Sequence, residues 1–287
     1  MTEYIQIKFI DEPIYHHNTE FPWRQYTKEQ LLDEYKRLKR IINKNSSQPY
    51  PFSITGYKCS NYFFQYERMK NKGRKGRKST IEFWNINKDK FIKYCQENNR
   101  ELFGELNFNN HAPAQFPPVI AGKVYKYFNA KKVLDPYAGW GDRCIAALAM
   151  NIDYTGIDSN INLKSAYDNM ISFYPSTSRI DMHYMYSENY TYDDNYDLVL
   201  SSPPFWEDNR LLEIYPHTKT DYKLFLTESL IPIINRYKKK ATVCMYISAT
   251  MYNDIVEYVG ECSDKIIFKT SNCRKGQSYN TIYYWQS

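Results

Sequence analysis

The sequence predicts an α/β protein: a mainly parallel sheet with helices on both faces, behind a smaller, mostly helical N-terminal region. Three observations carry this. From about Leu106 the chain alternates short apolar runs of strand length with helix-length amphipathic runs. A glycine-bearing turn, Asp135-Pro136-Tyr137-Ala138-Gly139-Trp140-Gly141, joins a strand to a helix. The last two apolar runs flank Arg274-Lys275-Gly276 as a hairpin would.

The elements follow in order. Thr27–Asn45 reads as a helix, with Thr27 and Gln30 as a capping box and Leu31, Tyr35, Leu38 and Ile42 on one face. Gln48–Gly56 is loop, broken by two prolines and a glycine. Asn61–Met69 is aromatic and fits a strand or a short helix. Arg68–Lys78 carries seven basic residues in eleven and two glycines, the pattern of an exposed loop. Ser79–Asn98 returns to an apolar pattern. Strands are expected at 132–134, 154–157, 181–186, 196–200, 241–247, 265–269 and 281–285. Helices are expected at 143–150, 162–173 and 222–237, the last with Leu224, Leu230, Ile231 and Ile234 facing inward.

The bulk properties exclude several classes. No run of 18 apolar residues is present, so no transmembrane helix is expected. Met1–Phe9 lacks a secretory pattern, which predicts an intracellular protein, cytoplasmic or nuclear, not secreted. The six cysteines show no C-x-x-C pair and the five histidines no ligand spacing, so no metal site is expected. The net charge of +6 is a mild basic bias. The 29 tyrosines are as well explained by AT-rich coding as by function.

Two turns carry chemistry. Gly139 and Gly141 let the backbone turn tightly beside a ligand at the carboxyl end of a strand. Asp158 ends the next strand, where a carboxylate accepts two ribose hydroxyls. A dinucleotide is the competing ligand. The third glycine of that fingerprint is absent, Arg143 stands where a small residue is preferred, and Asp135 repels a diphosphate while suiting a cation. This favours S-adenosylmethionine. The second turn is Ser202-Pro203-Pro204-Phe205. Two prolines give a rigid strand exit. The Ser202 hydroxyl and the Pro203 carbonyl can each accept one N–H of an exocyclic amine, and Phe205 can stack on the base. In a duplex that base must first be flipped out.

These residues resemble the S-adenosylmethionine-dependent amino-methyltransferases that act on DNA at cytosine N4 or adenine N6. Asp135–Gly141 is similar to the family's D-P-F-x-G-x-G cofactor motif, and Ser202–Phe205 to its [DNS]-P-P-[YFW] catalytic motif. His111-Ala112-Pro113-Ala114-Gln115-Phe116-Pro117 is similar to the segment that packs on the methionine end of the cofactor. The resemblance covers roughly Leu106–Ser287. It implies a seven-stranded Rossmann-like methyltransferase sheet over 106–287, with 1–105 as an N-terminal addition. It implies catalytic roles for Ser202, Pro203, Pro204 and Phe205. Cofactor contacts are implied at Asp135, Tyr137, Gly139, Gly141, Asp158, Ser187, His111, Pro113, Gln115 and Phe116. Serine at the first catalytic position favours cytosine N4, with adenine N6 next. The turn departs from the family at Trp140, which is bulkier than usual.

For the nucleic acid, DNA favoured and RNA the alternative, the candidate contacts are Arg68, Lys70, Lys72, Arg74, Lys75, Arg77 and Lys78, with Trp206 and Arg210 near the catalytic motif. No large recognition domain follows that motif. Target choice is therefore assigned to the N-terminal region, the 207–221 loop or a protein partner. Competing functions are an RNA adenine-N6 methyltransferase, including one acting at a messenger cap, and a catalytically silent nucleic-acid-binding subunit of the same fold. A protein glutamine methyltransferase ranks last, because asparagine is expected at the first catalytic position.

Overall fold

The computed structural model describes residues 21–72, 78–109, 112–207, 210–211, 221–269 and 279–286. Seven strands form one sheet: β1 (Lys132–Asp135), β2 (Asp153–Asp158), β3 (Ile180–Tyr184), β4 (Leu198–Ser201), β5 (Thr242–Tyr246), β6 (Asp264–Lys269) and β7 (Tyr279–Trp285). Their order is β3-β2-β1-β4-β5-β7-β6. β1 to β5 pair in parallel, and β7 runs antiparallel to both β5 and β6. This is the mainly parallel, seven-stranded Rossmann-like sheet expected from the sequence. The connection between β6 and β7, with Arg274-Lys275-Gly276, lies outside the described residues.

Side-chain alternation sorts the sheet into two faces. Val133, Leu198, Leu200, Cys244 and Ile282 face one apolar cluster; Leu134, Val199, Val243, Met245 and Trp285 face the other. The first cluster is closed by α1 (Lys28–Asn43), α2 (Tyr57–Lys70), α5 (Pro118–Tyr127), α6 (Asp142–Met150) and α7 (Lys164–Phe173). The second is closed by α8 and α9 (Ala249–Val259). Helix α8 is Tyr222–Phe225 and Ile231–Tyr237, joined by a π turn at Leu226–Leu230. Helices α3 (Thr80–Glu97) and α4 (Leu102–Asn109) enclose a third cluster around Phe21, Trp84, Phe91 and Phe103.

Helix α1 forms as its sequence predicts. Thr27 Oγ1 accepts from the Gln30 amide at 3.3 Å and Gln30 Oε1 accepts from the Thr27 amide at 3.1 Å. Leu31, Tyr35, Leu38 and Ile42 are all buried. Burying each of the aliphatic three contributes about 1.5–3 kcal/mol. Ile42 seats against α5 at Gly122, where a Cβ would run into its side chain. The N-terminal helices therefore share the core of the sheet.

Four expectations are settled or changed. The 61–69 segment, which fits strand or helix from sequence alone, is helical within α2. The basic run begins inside that helix. Arg68 is 3% exposed and Met69 is buried, because both point into the molecule from the last turn of α2. Leu224 is 45% exposed, and Phe225 takes the inward position. The π turn adds a residue to one helical turn and shifts the face that follows. Strand bounds move by up to two residues at β3, β4 and β7.

Candidate functional site

The carboxyl ends of β1, β2 and β4 lie side by side, and a cleft of about 230 Å3 opens over them. After β1 the chain turns through Gly139 (φ +63°) and Gly141 (φ +75°) into α6. Both angles are in the left-handed region that glycine tolerates. Gly141 also lies against Phe64, where a Cβ would come within 2.5 Å of the ring.

Asp135 does not face the cleft. It is fully buried and its oxygens are consumed within the protein. Oδ2 accepts from Arg143 Nε and from the Tyr154 hydroxyl, both at 2.6 Å. Oδ1 accepts from the Ser201 hydroxyl at 2.6 Å. Arg143 is 4% exposed and also donates to the Tyr137 carbonyl. Burial works against the guanidinium's charge, but Asp135 beside it raises its pKa above the arginine range. The expectation that Asp135 meets a cation directly is corrected: Arg143 already neutralises it. The pair instead locks the turn beneath the cleft.

Asp158 lines the cleft, partly open on that side and enclosed elsewhere. Oδ2 accepts from the Gly139 amide at 2.8 Å and Oδ1 from the Asn160 amide at 2.9 Å. Burial pushes its pKa up to about 6, against those two amides. A third carboxylate, Asp142, escaped the sequence reading. It is the first residue of α6, is buried, and lines the same cleft. Asp142 accepts from Ser60 Oγ at 2.5 Å and from Gln115 Nε2 at 3.1 Å. Burial raises its pKa to about 7, opposed by the Ser60 bond and the charges of Arg143 and Arg68. Its signal in the sequence is an acid directly after the G-x-G turn.

On the opposite wall, Ser202, Pro203, Pro204 and Phe205 all line the cleft where β4 ends. No hydrogen bond engages the Ser202 hydroxyl among the described residues. The Phe205 ring meets Tyr246 at 4.9 Å, and Tyr246 meets Phe116 at 5.6 Å, which makes an aromatic wall. Tyr246, at the end of β5, was also missed. Tyr137 lines the cleft and its hydroxyl shares a 2.8 Å hydrogen bond with Ser229, carried on the π turn of α8. Ser187 lines the cleft too, its hydroxyl 2.6 Å from that of Tyr192.

Other expected site residues fall elsewhere. Pro113 lines a neighbouring cleft, and its carbonyl accepts from Arg68 Nη1 at 3.0 Å. Arg68 is thus a buried strut for the 112–116 segment and not a surface contact for nucleic acid. Trp206 is 2% exposed and packs against Tyr222 and Phe225, with ring centroids at 5.0 and 6.4 Å. It supports the wall of the cleft from behind and offers no face to a ligand. Lys70 pairs with Glu67 at 3.2 Å. Lys72 and Lys78 are exposed. His111, Arg74, Lys75 and Arg77 lie outside the described residues, as does the side chain of Arg210. Among the described residues no group of His, Cys, Asp and Glu could hold a metal ion. No helix among them is long and apolar enough to cross a membrane.

No protein-family model and no curated protein matches the chain. Solved structures with some likeness include the Pyrococcus abyssi tRNA (uracil-54, C5)-methyltransferase in complex with S-adenosyl-L-homocysteine, at 18% identity and a TM-score of 0.39. That alignment covers 58% of this chain and 37% of the other. A predicted N6-adenine-specific DNA methylase from Listeria monocytogenes gives 11% identity and a TM-score of 0.41, over 61% of this chain and 52% of the other. A Thermotoga maritima S-adenosylmethionine-dependent O-methyltransferase gives 8% and 0.43, over 62% and 69%. The chain thus spans about a third to two thirds of the lengths of these proteins.

Proposed function

We propose that this protein transfers a methyl group from S-adenosylmethionine to an exocyclic amino group of a nucleic-acid base, cytosine N4 in DNA first and adenine N6 next. One observation carries the reading. The glycine turn after β1, Asp158 after β2 and Ser202–Phe205 after β4 line one cleft. On this reading a cofactor corner and an amine-gripping corner face the same space.

The residues fit the cofactor. Each Asp158 oxygen takes one backbone N–H and keeps a second lone pair for a ribose hydroxyl. Asp158→Ala is expected to weaken S-adenosylhomocysteine binding about tenfold in calorimetry; unchanged affinity would remove Asp158 from the site. Asp142 replaces Asp135 as the group for the methionine ammonium. The sign of its pH dependence follows from its pKa. With a folded-state pKa of about 7, the carboxyl is largely neutral at pH 6 and charged at pH 8. The linked stability runs the other way. The raised pKa favours the ligand-free fold below the ordinary value near 3.8, and that contribution is lost as pH rises through about 7. Affinity for S-adenosylhomocysteine should rise about tenfold from pH 6 to pH 8, and Asp142→Asn should flatten that rise. A variant that keeps the wild-type pH profile would exclude Asp142 from the contact.

S-adenosylmethionine supplies a methyl group on a sulfonium, already a good leaving group. The amine is the poor partner, because its lone pair is delocalised into the ring. The Ser202 hydroxyl and the Pro203 carbonyl each accept one of its N–H bonds, which draws the nitrogen toward a tetrahedral form. Phe205, braced by Tyr246, holds the base. The new N–C bond replaces the sulfonium S–C bond and the methylated nitrogen gives up one proton to water, so the chemistry asked of the chain is positioning and charge stabilisation.

Serine at 202 favours cytosine. Incubating the protein with labelled cofactor and either DNA or RNA, then resolving the nucleosides, tests both base and polymer. Label on N4-methylcytosine in DNA is the expected result; label confined to adenine in RNA would establish the alternative.

A further inference from the structure

A second cleft, of about 450 Å3, opens beside the candidate site, and Ala114 and Gln115 line both. Helices α1 and α2 form much of its wall. It gathers four cations, Arg24, Arg37, Lys58 and Arg68, against one carboxylate, Glu34. Three of these five are committed. Arg24 pairs with Glu101 at 3.0 Å and lies over the Phe103 ring, Arg68 props Pro113, and Glu34 is buried and accepts from the Gly56 amide at 2.8 Å.

Arg37 and Lys58 differ. Both are exposed, and among the described residues neither has a carboxylate within ion-pair distance. The Lys58 ammonium sits over the Tyr26 ring at 5.5 Å, which holds it at the cleft. Asn61 also lines the cleft; its Oδ1 is shielded from solvent and has no hydrogen-bond partner among the described residues. A shielded acceptor of this kind costs stability until a donor reaches it. The cleft therefore suits an anion that also carries N–H or O–H donors.

A nucleotide within a strand has both: a phosphate for the cations, and a sugar hydroxyl or a base amino group for Asn61. The shared wall at Ala114–Gln115 makes the two clefts neighbours. We propose that the second cleft holds an unpaired nucleotide of the substrate strand beside the base to be methylated, with its phosphate on Arg37 and Lys58. The assignment rests on the nucleic-acid methyltransferase reading above. It gives the N-terminal helices a part in substrate binding and shifts that part from the Arg68–Lys78 run to the α1–α2 face.

The test uses the full chain, short fluorescent single-stranded DNA and RNA oligonucleotides, and anisotropy over a range of salt. The variant Arg37→Gln/Lys58→Gln is compared with Lys131→Gln/Lys239→Gln, which removes two exposed charges just ahead of β1 and β5. Loss of one or two phosphate contacts flattens the slope of log K against log salt by about 0.7 to 1.4. That flattening, with about tenfold weaker binding at low salt, is expected for the first variant alone. Calorimetric affinity for S-adenosylhomocysteine should stay at the wild-type value in both. A wild-type slope in the first variant, or equal changes in both, overturns the assignment even if methyl transfer persists. No oligonucleotide binding or methylation by the wild-type protein overturns the nucleic-acid reading itself, and this assignment with it.

Discussion

Ser202→Ala should slow methyl transfer about 100-fold while S-adenosylhomocysteine binds within about twofold of wild type. The magnitude follows from the loss of one preorganised hydrogen bond to a reacting group, which costs about 10²–10³ in turnover. The selectivity follows from the fold. Ser202 stands after β4 and the glycine turn after β1, on adjacent strands that line one cleft. Removing one hydroxyl from the amine corner leaves Asp158, Asp142 and Gly139 as they were. Single-turnover rates and calorimetry separate the two effects. Equal loss of rate and cofactor affinity would mean that the proline turn only shapes the cleft.

Arg143→Met should destabilise the protein by about 3–5 kcal/mol in urea unfolding. Removing one member of a buried pair strands its partner's charge. Asp135 is fully buried and sits under the glycine turn, so on the proposed function the loss should also lower affinity for S-adenosylhomocysteine. The double variant Arg143→Met/Asp135→Asn removes the stranded charge and should recover part of the stability. Non-recovery would show that Arg143 acts through its packing on Phe116, whose ring centroid lies 5.2 Å from the guanidinium, and not through Asp135.

The sheet was legible because short apolar runs, Val133-Leu134 and Val243-Cys244 among them, alternate with helix-length amphipathic runs; the sorting of each run's residues onto two faces appears only in the structure. Helix α1 was legible from its capping box and its four apolar positions. Asp135 was misread because its partners come from three places: α6, β2 and the end of β4. Nothing local tells a buried, neutralised carboxylate from one facing a ligand. Arg68 was misread for a related reason. Its charge was counted with the run that follows it, while its helical phase with Phe64 and Met69 turns it inward. Tyr246 was missed because its relevance arises only when the ends of strands converge, and Asp142 because the partners that bury the acid after the G-x-G turn, Ser60 and Gln115, are distant in sequence. Helix α9 had its own cap, Ser248 accepting from the Met251 amide, and went unassigned beside the longer α8.

The measurement that bears most directly on the central claim is mass spectrometry of nucleosides from DNA and RNA incubated with the protein and S-adenosylmethionine, wild type beside Ser202→Ala. The predicted result is a base methylated on an exocyclic nitrogen, N4-methylcytosine foremost, formed by the wild type and strongly reduced in the variant. Methylation at a ring carbon or a ribose oxygen, or equal product from both proteins, would contradict the role assigned to Ser202–Phe205.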